Sequence, residues 1–255
     1  MEKQLDYLIQ YLLSENDKYK NITIPTGFEE KFQLYRSLVN VREPAPIGED
    51  YLGVEDAFLQ ALTAKKGVTN LADLTPAEDG IYLWQGDITT LKCDGIVNAA
   101  NSALLGCFSP CHSCIDNAIH TFAGVRLRLK CDEIMRAQGA PEPTGKAKIT
   151  PAYNLPSRYV LHTVGPIVNG ALSERHKAML ASCYTQCLDL AVKNGLQSIA
   201  FCCISTGVFG FPQEEAAQIA VQTVKHYQKT NQSHIEVIFN VFSNTDKRIY
   251  TRLLG

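Results

Sequence analysis

Between Gly106 and Gly124 the chain reads GCFSPCHSCIDNAIHTFAG, and positions 107 to 114 hold three thiols and an imidazole: Cys107, Cys111, His112 and Cys114. Thiolate and imidazole are borderline-soft donors that suit the d10 zinc ion, so their clustering points to a metal site. The alternative is that the cysteines are small apolar fillers and His112 an ordinary loop histidine. Four such residues with a proline among them and no regular period favour the metal.

Three other groups carry polar chemistry. Gln85-Gly86-Asp87-Ile88-Thr89 follows an apolar run, and its aspartate can accept from a ligand amine or cap a turn. Asn98-Ala99-Ala100-Asn101 places two amides around two alanines, offering donors and acceptors with space between them for a hydroxyl-rich ligand. Ser205-Thr206-Gly207-Val208-Phe209-Gly210-Phe211-Pro212 lies between an apolar run and a helix beginning near Gln213. Its glycines let successive amides converge on an anion, and the helix N-terminus adds partial positive charge.

The elements that must position these groups are readable from hydrophobic periodicity. From Gly80 onward, short apolar runs alternate with amphipathic stretches. Strands are expected over 81–84, 95–99, 147–150, 159–164, 198–204 and 235–242, and helices over 115–137, 174–193, 213–229 and 245–253. Several strands are apolar on both faces, as in a buried sheet, so an α/β layered domain with its ligand at the strand C-termini is expected. Residues 1–75 read instead as short helices broken at Ile24-Pro25-Thr26-Gly27 and at Glu43-Pro44-Ala45-Pro46-Ile47-Gly48. They show no catalytic grouping and are expected to pack as an extension on the main domain, 76–255.

Composition narrows the function. A chain of 255 residues can bury a large core without disulfides, and nine cysteines is an odd number. No basic, apolar leader and no run of 18 apolar residues occurs, which suggests a reducing cytoplasm and no membrane. A net charge of −2 supplies no basic field for nucleic acid. A monomer is the plain expectation.

Taken in order, QGDIT, NAAN, CIDNAIHTFAG and ISTGVFGFP resemble the motifs of the macrodomain fold, whose members bind ADP-ribose. The resemblance spans about residues 77–255. GCFSPCHSC stands where ordinary hydrolytic macrodomains carry a glycine-rich run. With the helical extension, this is similar to the zinc-containing macrodomains, a microbial subfamily of ADP-ribosyl hydrolases. The resemblance implies a three-layer α/β/α domain with a central mixed sheet. It implies that Asp87 and the Ile88 amide hold adenine, that Asn98 and Asn101 border the distal ribose, and that the amides of Ser205, Thr206, Gly207, Val208, Phe209 and Gly210 take the diphosphate. Phe209 would lie over the distal ribose. Phe242 would stack on adenine, or else be a core residue at a strand end.

For the metal, Cys107, His112 and Cys114 are the expected ligands. Cys111 is the competitor: four bound residues would close the sphere and make the zinc structural, whereas three leave a fourth position open, which is the expectation because adjacent residues reach one tetrahedral ion only with strain. Asp116 is expected to assist hydrolysis with Asn101 beside it, although Ser113-x-x-Asp116 also matches a helix capping box. His120 is expected to be structural. The function implied is a zinc-dependent hydrolase that removes mono-ADP-ribose from an acidic protein side chain. The subfamily's association with a sirtuin-type transferase and a lipoylated carrier protein makes that carrier the implied substrate. The alternatives are a reader that binds ADP-ribose without cleaving it, with a structural zinc, and a zinc-stabilised scaffold with no nucleotide.

Overall fold

Apolar runs such as Ile96-Val97 and Ile199-Ala200 are fully buried and form the middle of a seven-stranded sheet. The computed structural model describes residues 1–255. In chain order it comprises α1 (Glu2–Ser14), α2 (Phe28–Val41), α3 (Glu49–Lys66), β1 (Thr69–Asn70), β2 (Pro76–Glu78), β3 (Ile81–Gln85), β4 (Leu91–Lys92) and β5 (Gly95–Ala99). There follow α4 (Ile115–Ala123), α5 (Val125–Gln138), β6 (Ala147–Pro151), β7 (Tyr159–Thr163), α6 (Glu174–Lys193), β8 (Ser198–Phe201), α7 (Gln213–Asn231), β9 (Glu236–Val241) and α8 (Asn244–Leu254).

The sheet order is β2-β3-β9-β8-β5-β7-β6. Strands β3, β9, β8, β5 and β7 run parallel, and the edges β2 and β6 are antiparallel to their neighbours. Parallel strands share a C-terminal end, so the loops after β3, β5, β8 and β9 gather at one rim. Helices α4 and α5 cover one face and α6 to α8 the other, giving three layers around a mixed sheet. The expected fold class is the one observed. No helix is long and apolar enough to cross a membrane.

The expected helix over 115–137 is two helices. Gly124 divides them with φ +89°, a left-handed value that a Cβ disfavours, and a Cβ there would come within 2.6 Å of a Glu55 carboxylate oxygen. Glu55, on α3, is fully buried and accepts from Tyr35 Oη (2.7 Å), Tyr51 Oη (3.2 Å) and the Val125 amide (2.9 Å). Burial pushes its carboxyl pKa up, while these donors oppose the shift. It therefore caps α5 from the extension. The strand expected over 198–204 ends at Phe201, because Cys203 accepts from the Thr206 amide and turns the chain into the loop.

Leu5, Ile9, Tyr35 and Phe58 of the first three helices lie in the same continuous core as Ile96, Leu161 and Phe239 of the sheet. The extension shares the main domain's interior. Helices α2 and α3 pack directly on α4, whose first residues lead out of the cysteine-rich loop.

Candidate functional site

The loop joining β5 to α4 carries the thiols. Leu104 and Cys111 are left-handed in it, with φ of 58° and 52°. Gly106 is too (φ +82°); the His120 ring lies against it, and a Cβ would approach that ring to 2.8 Å. The ligand atoms of Cys107, His112 and Cys114 lie within 4.8 Å of one another, and Cys107 Sγ is 3.7 Å from His112 Nδ1. Donors on a tetrahedral zinc, bound at about 2.0 to 2.3 Å, are separated by roughly 3.5 Å or slightly more, so this set fits the ion. Cys114 is also the N-cap of α4, its sulfur accepting from the Asn117 amide at 3.4 Å. Burial pushes the Cys114 thiol pKa up to about 11, against the Asn117 amide, which favours the thiolate.

Cys111 is turned elsewhere. Its sulfur is hydrogen-bonded to Ser37 Oγ at 3.2 Å and donates to the Gln33 carbonyl at 3.4 Å, both on α2. The loop thus presents three potential ligands to one point.

Asp116, in the first turn of α4, is buried. Its Oδ1 accepts from Asn98 Nδ2 at 2.8 Å, and its Oδ2 lies 3.4 Å from Asn101 Nδ2. The capping box anticipated from Ser113 does not form: the helix starts one residue later, with Cys114 as its cap, and the Asp116 carboxylate faces β5. Burial pushes its pKa up to about 6, against the Asn98 hydrogen bond and the Arg128 charge. His120 Nε2 lies 3.6 Å from Asp116 Oδ1, and burial holds this imidazole well below its usual pKa, so it is neutral.

Parallel register sets Asn98 beside His162. The second hydrogen of Asn98 Nδ2 faces His162 Nδ1 at 3.2 Å, which leaves the ring proton on Nε2, 3.0 Å from Thr150 Oγ1. Asn98 Oδ1 is buried with no partner, an acceptor free beside Asp116. His120, Cys131 and His162 form a second group with metal-ligand spacing, all buried. In that group both His162 nitrogens already have hydrogen-bond partners.

In the glycine loop after β8, the Thr206, Gly210 and Phe211 amides bond to Cys203, Gly207 and Ser205 carbonyls. The amides of Gly207, Val208 and Phe209 have no partner within the protein and suit an anion. Ser205 takes a left-handed φ of 66° at the loop's start. Asn240 Nδ2 donates to the Gly86 carbonyl, and Gln85 Nε2 donates to the Phe242 carbonyl, joining the β3 and β9 loop ends. Phe242 is 82% exposed, which removes the core reading and leaves an aromatic face at the rim.

Asp87 has local work as well. Its Oδ1 accepts from the Thr89 amide and hydroxyl, and its Oδ2 pairs with Lys66 Nζ at 2.6 Å. Ile88 beside it is buried. Lys66, on α3, is a partner of Asp87 that a reading of short motifs misses, because it lies in the extension. Its signal is basic residues in the last turn of α3, a position that also suits a helix C-terminus.

The family described as Macro domain matches residues 97–220. The chain is 54% identical over 253 residues to a protein-ADP-ribose hydrolase of Treponema medium, covering 98% of this chain and 97% of that one. It is 51% identical over 249 residues to a protein-ADP-ribose hydrolase of Staphylococcus aureus strain MSSA476, covering 97% and 93%. Among solved structures it resembles the Trypanosoma brucei macrodomain in complex with ADP-ribose, with TM-score 0.67 and 30% identity over 86% of this chain and 95% of that one. A mixed sheet whose loops converge on an amide cradle, matched at this identity, defines the class: the chain belongs to the macro domain family. Within that family it is a hydrolase, and the expectation of a reader without turnover gives way.

Proposed function

We propose that this hydrolase depends on zinc and releases mono-ADP-ribose from a modified protein side chain, an acidic one. The observation that carries the reading is the placement of Asp116. It stands in the first turn of the helix that Cys114 caps, bonded to Asn98 and Asn101, with Cys107 and His112 converging on Cys114. The names of the relatives support ADP-ribose as the group removed.

Cys107, His112 and Cys114 would hold the zinc, which when bound supplies a mild Lewis acid that fixes the distal ribose or a water. The diphosphate lies on the free amides of Gly207, Val208 and Phe209, within the segment Ser205–Gly210. Adenine stacks on Phe242 beside Asp87 and the Ile88 amide. In the reaction the bond from the anomeric carbon to the side-chain oxygen breaks, and water forms the new bond to that carbon. A side-chain carboxylate leaves with its electron pair and needs no proton from the enzyme. Asp116 orients the water, takes its proton and stabilises the cation-like carbon. Asn101 and Asn98 hold that carboxylate in line, and the free Asn98 Oδ1 accepts from a ribose hydroxyl.

The lipoylated carrier modified by a sirtuin-type transferase is the substrate that the zinc-containing subfamily implies, in a cytoplasmic setting and with the enzyme as a monomer. The test is release of free ADP-ribose by zinc-loaded enzyme from two protein substrates, one modified on Asp or Glu and one on Ser. Release from the first alone supports the reading. An intact acid-linked substrate overturns it.

A further inference from the structure

The metal-bearing loop has no regular structure between β5 and α4, yet its ligands must be held together before an ion arrives. Gln33, Arg36, Ser37 and Asn40 on α2 are spaced i, i+3, i+4 and i+7, which puts them on one face of the helix. That face lies on the loop. Arg36 Nη2 donates to the His112 carbonyl at 2.7 Å, and its Nη2 and Nε both donate to Asn117 Oδ1, at 2.7 and 3.1 Å. Asn117 Nδ2 in turn donates to the Ser109 carbonyl at 3.0 Å and the Cys107 carbonyl at 3.5 Å. One guanidinium and its amide partner thus grip the backbone of two ligand residues. Asn40 Oδ1 accepts from the Cys111 amide at 2.9 Å, while its Nδ2 donates to Thr121 Oγ1 at 3.1 Å. Ser37 and the Gln33 carbonyl hold the Cys111 sulfur out of the cluster.

We infer that Arg36, seconded by Asn40, is a positioning residue for the metal site, and that the N-terminal extension therefore sets metal affinity. The inference rests on Cys107, His112 and Cys114 being zinc ligands. Arg36 is not among the residues whose ligand atoms converge. It acts by removing loop conformations that would otherwise be lost on binding, so its loss weakens the ion's hold. A lysine cannot reproduce the fork that spans His112 and Asn117, since its ammonium is a single point of charge.

The test uses the full chain, loaded with zinc and titrated with a chromophoric chelator. Arg36→Ala should weaken zinc binding roughly 10- to 100-fold, the usual loss for a partner that orients a ligand, with Arg36→Lys between it and the native protein. Affinity for ADP-ribose, and the melting temperature of the metal-free protein relative to native, separate positioning from bulk stability. A merely structural role would lower the metal-free melting temperature and leave zinc affinity within about twofold of native, and that result overturns the inference. Should Arg36→Ala fail to fold, Asn40→Ser and Arg36→Lys carry the same comparison. Native protein that retains less than about half an equivalent of zinc overturns the zinc reading itself, and this inference with it.

Discussion

The sulfur of Cys111 is hydrogen-bonded to the Ser37 hydroxyl at 3.2 Å and is not one of the atoms that converge in the Cys107–His112–Cys114 cluster. Helix α2 holds this thiol out of the cluster. The loop accordingly brings three potential metal ligands to one point and turns its third cysteine toward α2.

Cys111→Ser should therefore keep its zinc and its turnover, because a serine hydroxyl can take the bonds to Ser37 and Gln33. Cys114→Ala should lose both, by more than the roughly 10- to 100-fold that loss of a supporting contact costs. Metal analysis beside a turnover assay separates the two. Loss of zinc from Cys111→Ser would mean a closed, four-ligand site.

Asp116→Asn keeps the side chain's volume but removes its charge. If the carboxylate assists water, turnover should fall about 10²- to 10³-fold, the scale on which a preorganised polar group contributes, while ADP-ribose affinity is retained. Single-turnover kinetics with calorimetric titration measures both. Equal loss of affinity and turnover would reduce Asp116 to a binding residue.

Phe242 packs on nothing that holds the fold, being 82% exposed. Phe242→Ala should change stability by less than about 0.5 kcal/mol. It should weaken ADP-ribose binding by about 1 to 3 kcal/mol if the ring stacks on adenine. Denaturant melts and titrations of the same sample decide it, and unchanged affinity would remove the stacking role.

His162 is fully buried among Asn98, Thr150, Cys131 and the neutral ring of His120, and burial pushes its pKa down to about 3. The unfolded chain binds this proton near pH 6.5 and the folded chain does not, so stability is present above that pH. It is lost as pH falls from about 6.5 toward 3, by up to about 1.4 kcal/mol per pH unit. Urea melts at pH 7, 6, 5 and 4 should show a shallower fall for His162→Asn than for native protein. Equal slopes would show that His162 does not titrate on unfolding.

Much of the sheet was legible in the sequence, because strands such as Tyr159–Thr163 and Ser198–Phe201 centre on short apolar runs buried on both faces. The break at Gly124 was hidden: apolar periodicity runs from Ile119 and Phe122 through Leu127 without a shift, and only the buried Glu55 explains the turn. The clustering of Cys107, His112 and Cys114 was legible because thiols and imidazole that lie close in sequence have few ordinary uses. Arg36 and Asn40 were not legible. Polar residues at helical spacing read as a solvated face, and nothing local says that they meet a loop some 70 positions on. Lys66 and Asp87 pair across 21 positions for the same reason: tertiary packing of the extension brings them together.

Cys107, His112 and Cys114, beside Asp116, are proposed to hold the zinc on which turnover depends. The most direct measurement is turnover of acid-linked mono-ADP-ribosylated protein by one preparation assayed as purified, after chelation, and after zinc is restored, with zinc quantified in each. About one zinc per chain, loss of turnover with its removal and recovery on its return are predicted, with ADP-ribose affinity surviving in the stripped enzyme. Full turnover by enzyme stripped of its zinc would contradict the account.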